Sequence, residues 1–463
     1  MLFPLRVAII GSGPSAFYAA EPLLKAGALV TMIERLPTPF GLVRGGVAPD
    51  HPKIKSVTKV YERTAAHQNF RYYGGVEFGK HITLADLQTM FHAVIFATGA
   101  QTDRRMGIAG EDLPGSHPAT EFVAWYNGHP DYQHLSFDLT QKAAVVVGNG
   151  NVAMDVARIL ARTPEELATT DITDSALEAL RHSQIETIYI LGRRGPAQAA
   201  YTTPEIKELG ELAAASVTAP ADEAALDDLS AEWLHHYGDR GTRENVEIVQ
   251  AYAAGPASTK PRRIVLRFLV SPTRIIGTER VEGVEIVRNT LVQAADGSLR
   301  PQSSGQTEII PAGLVFRSIG YKGVALPDVP FDSQRGVIPN VLGRVTETDG
   351  TPVIGQYVAG WIKRGPSGVI GTNKPDSAET AASLLEDAET GALWQPTHTT
   401  ADALDSLLSS RGVDVVSFAD WQAVDALEQS RGAAQSRPRV KLTRVADMMT
   451  VVHAARGAKL AAD

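Results

Sequence analysis

Short apolar runs that end in glycine punctuate this chain, and amphipathic stretches separate them. Residues 6–10, 28–33, 93–96, 143–147, 185–191, 313–320 and 356–361 read as strands buried in a sheet. Helical spacing follows the first of these from Phe17 to Ala26. It recurs from about Lys374 to Glu386, where Pro375 and Asp376 mark a start, and again between Thr400 and Asp463 through Trp421, Val424 and Leu427. Strands that alternate with helices predict an α/β fold with parallel sheets.

Twice the order is strand, glycine turn, helix. The strand Arg6–Ile10 runs into Gly11, Gly13, Ser15 and Ala16, and the next strand ends at Glu34. Glycines there let the backbone turn sharply and approach a pyrophosphate, the helix N-terminus offers N–H groups, and a carboxylate at the end of the second strand accepts from a ribose. The second copy follows residues 143–147 with Gly148, Asn149, Gly150, Asn151, Val152 and Ala153, but its next strand ends at Arg193 and Arg194. Two guanidinium groups suit a 2′-phosphate that a carboxylate would repel. The first copy therefore predicts FAD and the second NADP. In the second, the interval from Gly148 to the arginines far exceeds the usual roughly 20 residues, and the polar stretch from Thr163 to Ser183 reads as an insertion. On its own, that motif is equally a glycine-rich turn with no ligand.

Composition narrows the chemistry. The 463 residues are 44% hydrophobic and 21% charged, which fits a globular protein of two domains. A net charge of −8 argues against general nucleic-acid binding. The chain has no cysteine, which excludes a redox-active disulfide, thiolate metal sites and a protein-borne iron–sulfur cluster; no metal is expected. No apolar stretch is long enough to span a bilayer, and the N-terminus has no signal-peptide order, so a cytoplasmic location is expected.

The strand endings at Gly99 and Gly320 repeat one pattern, which predicts that the NADP domain is inserted in the FAD domain. The expected bounds are 1–106 and 323–463 for FAD-binding and 107–322 for NADP-binding, with Gly107 to Ser116 as a linker. The adjacent His235 and His236 read as a solvated surface, since neighbouring positions do not turn both rings to one ion. The segment after Thr400 reads as a packing appendage without chemistry.

Four runs carry a family resemblance: Pro39 to Lys53 (PFGLVRGGVAPDHPK), Gly148 to Arg158 (GNGNVAMDVAR), Arg193 to Pro196 (RRGP) and Gly360 to Ile370 (GWIKRGPSGVI). Together they resemble the adrenodoxin-reductase-type ferredoxin–NADP reductases, in the same order, to about residue 390. The resemblance implies two Rossmann-like domains, FAD contacts at Ser15, Glu34, Leu42, Val76, Trp361, Gly368, Val369 and Ile370, and NADP contacts at residues 149–152, Arg193, Arg194 and Glu205. It also implies places near the reacting rings for His51 and Glu208; a purely structural role for His51, capping the loop between Pro49 and Pro52, is the alternative. Two departures stand out: Ala16 where many members have glycine, and Asn149 where many have glutamine.

The activity so implied is hydride transfer from NADPH to FAD, then single-electron transfer to a ferredoxin, by a monomer. Arg240, Arg243, Lys363 and Arg364 are the expected docking cations. An NADPH diaphorase or quinone reductase and a non-catalytic NADP(H)/FAD sensor are the alternatives.

Overall fold

The computed structural model describes residues 4–460, so the last three residues of the C-terminal stretch lie outside it. The chain forms two compact units. One takes residues through Thr102, the short segment Asn127–Gln133 and the chain from Gly320 onward; the other takes Asp103–Tyr126 and His134–Ile319.

In the first unit, the expected strands Arg6–Ile10, Leu29–Glu34 and Ala93–Phe96 lie in one seven-stranded sheet. Its order is Asn340–Val341, Arg344–Thr346, Pro352–Val358, Ala93–Phe96, Arg6–Ile10, Leu29–Glu34, Phe70–Gly74. The last five strands pair in parallel, with Val7 opposite Val30 and Ala93. Alternate residues serve opposite faces: Val7 and Ile9 join one core, Ala8 and Ile10 the other. Both faces are covered, which is why the strands read as continuous apolar runs.

The C-terminal stretch packs on this sheet. Ala403–Ser410 adds Leu404 and Leu408 to one core, while Phe418–Ala433 and Val445–Leu460 add Trp421, Val424, Met448 and Val452 to the other. Leu427 is only half-buried; the next residue, Glu428, is fully buried. An acidic side chain in that position was not foreseen.

The second unit holds a six-stranded parallel sheet, in the order Ser116–Pro118, Leu314–Arg317, Ala143–Val147, Thr187–Leu191, Arg262–Arg267, Ala215–Thr218. A three-stranded antiparallel sheet, Val270–Ile276 with Gly283–Gln293 and Leu299–Pro311, accompanies it. The inserted stretch after Thr163 is helical: Thr163 and Glu166 form a capping box, and Asp174–Arg181 buries Leu177 and Leu180. The expected linker is instead packed structure. Glu111, 3% exposed, accepts from the amides of Met106 and Gly107 and lies 3.4 Å from Arg317. Gly110, at φ +79°, sits so close to Ile275 that a Cβ would fall 2.1 Å from its carbonyl oxygen. Glycine is there for close approach, not for flexibility.

Two histidines predict a pH response for this fold. Burial pushes His117 down to about 4, with Arg317 reinforcing it, and its ring packs 4.8 Å from Phe137. Burial also pushes His129 down to about 4; Asp131 opposes the shift while Arg35 and Arg44 add to it. Both rings favour the neutral form when folded, so the unfolded chain binds the extra protons. Their contribution is complete above the ordinary value of 6.5 and is lost as pH falls towards 4. By pH 5 each should have cost up to about 2 kcal/mol. Urea midpoints measured from pH 7 to pH 5 should fall in the native protein, and much less in a His117→Gln/His129→Gln double variant.

Candidate functional site

In the first unit the turn after Arg6–Ile10 is built by Gly11, at φ +103°. A Cβ there would fall 2.6 Å from the Ala97 carbonyl oxygen, and the Gly11 amide donates to Ile33 O at 2.8 Å. The helix Pro14–Lys25 opens with Gly13 as its cap residue, no side chain bonds its first amides, and a Cβ on Gly13 would meet nothing within 4 Å. Open space before uncapped N–H groups suits a pyrophosphate. Glu34 is at the same turn: it accepts from the Ser12 amide (3.1 Å), the Ser12 hydroxyl (2.7 Å) and the Leu36 amide (3.0 Å). Ser12 was not anticipated; it aims the carboxylate expected to read the ribose.

The loop after Pro352–Val358 comes to this turn from the other side. A Cβ on Gly360, φ +79°, would fall 2.5 Å from Ser15 Oγ, and the Gly360 amide donates to Asp376 at 2.6 Å. Ser377 Oγ donates to Ser15 O at 2.9 Å, so the helix Asn373–Thr390 is tied to Pro14–Lys25. Along the loop, Trp361 Nε1 donates to Ser367 O, Gly368 and Val369 are exposed, and Ile370 is half-buried. Leu42 is 43% exposed, beside Gly41, whose Cβ would meet Gly13 Cα at 2.9 Å. Val76 is deep in the core, with its amide on Glu34 O, so its side chain is spent on packing. His51 occupies the cap position of Pro52–Lys55, yet its side chain makes no capping bond.

One docking expectation is overturned here. Lys363 is 8% exposed and its ammonium is held by Glu379 at 2.7 Å and Asp376 at 3.3 Å. A neutralised, buried cation offers no docking charge. Arg364 is half-buried and bonded to Ser367, Thr372 and Asn373. Arg240 and Arg243 are exposed, as are His235 and His236.

The second unit repeats the turn. Gly148, at φ +116°, would place a Cβ 2.1 Å from Ser318 O; its amide donates to Leu191 O, and the Ser318 amide to Val147 O. Gly150 caps Asn151–Ala161 without a side-chain bond, and a Cβ on it would also meet nothing within 4 Å. Asn151 accepts from the Thr202 amide at 2.8 Å, and the Asn149 amide group packs against Gly192. Val152 is half-buried on the first turn of this helix.

Arg193 is exposed and Arg194 half-buried. Their backbones are fixed: Asn289 Nδ2 donates to Arg193 O and the Leu269 amide to Arg194 O. Burial and the neighbouring Arg193 hold the Arg194 guanidinium below its ordinary range. Among the described residues neither arginine is in a salt bridge, in a protein where most buried cations are paired. Adjacent charges that repel each other match a doubly charged phosphate ester.

Glu205 and Glu208, one turn apart on Thr203–Gly210, converge on Arg158 at 3.0 and 3.6 Å. Arg158 is fully buried and also bonds Asp155. It ends the fingerprint run, yet nothing local marked it as buried; only the spacing to Asp155, i to i+3, hinted at a pair.

Known proteins are similar to this chain over nearly its full length. The model of the pyridine nucleotide-disulphide oxidoreductase family matches residues 5–189. NADPH-ferredoxin reductase FprA of Mycobacterium tuberculosis is 47% identical over 461 residues, covering 97% of this chain and 99% of that protein. The mitochondrial NADPH:adrenodoxin oxidoreductase of Arabidopsis thaliana is 40% identical, over 96% and 95%. The solved structure of M. tuberculosis FprA in complex with NADPH superposes with a TM-score of 0.91 at 45% identity, covering 97% of this chain and all of the other. At 47% and 40% identity over nearly the full length of this chain and of those relatives, the chain belongs to the adrenodoxin-reductase-type ferredoxin–NADP reductases.

Proposed function

We propose that this protein takes a hydride from NADPH on FAD and passes electrons singly to a ferredoxin, with FAD held by the first unit and NADP(H) by the second. The observation that carries the reading is the difference between the two turns: Glu34 behind Gly11, and behind Gly148 two arginines that form no salt bridge among the described residues. When bound, FAD supplies the conversion of a two-electron donor into a one-electron source.

The protein's part is to bind, orient and exclude. Gly11, Gly13 and the first turn of Pro14–Lys25 receive the FAD pyrophosphate, Glu34 the ribose, and the Trp361 to Ile370 loop with Leu42 the flavin end. Gly148 to Val152 receive the NADP pyrophosphate, and Arg193 with Arg194 the 2′-phosphate. Glu205 and Glu208 act from the ion cluster on Arg158, which holds their helix against the fingerprint helix. We assign His51 a proton-carrying or ring-orienting role, since its side chain does not cap the helix it precedes.

The acceptor is what separates a ferredoxin reductase from a diaphorase. Steady-state reduction of cytochrome c with NADPH should rise severalfold when a ferredoxin is added, and the added rate should fall with ionic strength because docking to an acidic partner is steered by charge. No rise across ferredoxins of different cluster type, with FAD still rapidly reduced, would move the assignment to a diaphorase.

A further inference from the structure

The C-terminal helices read as packing alone, yet they carry a buried charge aimed at the loop that bears Leu42. Glu428, on Phe418–Ala433, is fully buried and accepts both terminal nitrogens of Arg44, at 2.6 and 2.8 Å. The Leu442 amide donates to the same carboxylate at 2.7 Å, and Arg439 lies at 3.3 Å. Burial pushes the Glu428 carboxyl up, but Arg44, Arg439 and this amide more than offset it and hold it below the usual carboxylate range. The Arg44 guanidinium also lies over the Trp421 ring, 5.0 Å from its centre, and its carbonyl accepts from Lys441 at 3.2 Å. Three side chains from beyond residue 420, Trp421, Glu428 and Lys441, thus grip the single residue Arg44.

The rest of that loop is equally constrained. Phe40 and Val43 are buried in the core, the Phe40 amide donates to Ser12 O, and Gly41 packs on Gly13. Within Phe40 to Arg44 only Leu42 presents a large side chain outward. To these contacts a bidentate arginine–carboxylate pair adds a directional geometry that apolar packing does not have.

We propose that Glu428 is a positioning residue: through Arg44 it fixes the backbone of the Leu42 loop, and so sets how tightly the flavin is seated. This rests on the reading of Leu42 as a flavin contact.

The test uses the full-length holoprotein. Arg44→Met/Glu428→Leu replaces the ion pair with apolar side chains of similar size, which allows folding without the tether. Flavin release, followed by fluorescence, should become about tenfold faster, a change of about 1.4 kcal/mol, and the visible circular dichroism of the flavin should change, while NADP⁺ affinity stays within twofold. Arg456→Met removes a different ion cluster of the same segment, with Asp414 and Asp420, and should leave flavin release unchanged. Unaltered release in the double variant, or equal acceleration in Arg456→Met, overturns the proposal. Leu42→Ala separates the two readings: if it speeds release and the double variant does not, the tether alone fails; if Leu42→Ala is silent, the placement of Leu42 at the flavin fails and the proposal falls with it.

Discussion

Alanine at both Arg193 and Arg194 is expected to lower the ratio of kcat/KM for NADPH to that for NADH by about 100- to 1,000-fold. Hydrogen bonds to a charged group contribute about 1.5–3 kcal/mol each, and two guanidinium groups on one phosphate ester give roughly 3–4 kcal/mol of discrimination. Most of the loss should fall on NADPH, because NADH has no 2′-phosphate to lose. Neither arginine is part of a salt bridge among the described residues, so removing them should leave thermal stability nearly unchanged. Mutual repulsion at Arg194 points the same way, since it is relieved rather than created. A specificity ratio that stayed within threefold would show that the 2′-phosphate is read elsewhere.

The second large effect comes from the first glycine of each turn. Gly148→Ala puts a Cβ 2.1 Å from the Ser318 carbonyl oxygen and 2.8 Å from its carbon, at φ +116°. The left-handed region costs a side chain about 1–2 kcal/mol, and the overlap is with backbone that no rotamer change relieves. The strand exit must therefore move, and several kcal/mol of local distortion is expected. Purified Gly148→Ala should keep its flavin and lose NADP(H) affinity by at least about 100-fold, which is about 2.7 kcal/mol. Gly11→Ala meets Ala97 O at 2.6 Å and should instead purify with little or no FAD. Flavin absorbance per polypeptide and NADP⁺ titration distinguish the two. Should Gly148→Ala retain a native KM for NADPH, the turn is not the pyrophosphate seat.

Much of the candidate site is local in sequence, and that is why it was legible. Strand, glycine turn and helix are neighbours along the chain, and Gly11, Gly13, Gly148 and Gly150 stand where the two turns are. Helix bounds shifted by a few residues where caps decided them: the helix expected from about Lys374 to Glu386 runs from Asn373 to Thr390, ending at Gly391 in the left-handed region. The supposed linker failed for a different reason. Glycine and proline mark both flexible joints and close approaches, and only the position of Ile275 against Gly110 tells which is present.

Charge was the least legible property. Lys363, beside Arg364, reads as part of a basic surface for an acidic ferredoxin, but Asp376 and Glu379 reach it from the next helix. Nothing in the apolar pattern marks Arg158 or Glu428 as core, yet each is fully buried against partners far along the chain, Glu205 at a separation of 47 and Arg44 at 384. Desolvation makes such charges costly unless paired, so their burial depends on a partner that periodicity does not reveal.

By itself, then, the order of residues determined the α/β class, the two dinucleotide turns, the acid behind one and the arginines behind the other. These follow from backbone geometry and from charge matched to charge over a few neighbouring residues. Only the tertiary structure decided that Ser12 aims Glu34, that Gly360 closes on Ser15, that Glu205 and Glu208 gather on Arg158, and that the C-terminal helices grip Arg44. Each of those contacts joins segments whose proximity exists only after the sheets and helices have packed, since burial and pairing are properties of the assembled core and not of any window of sequence.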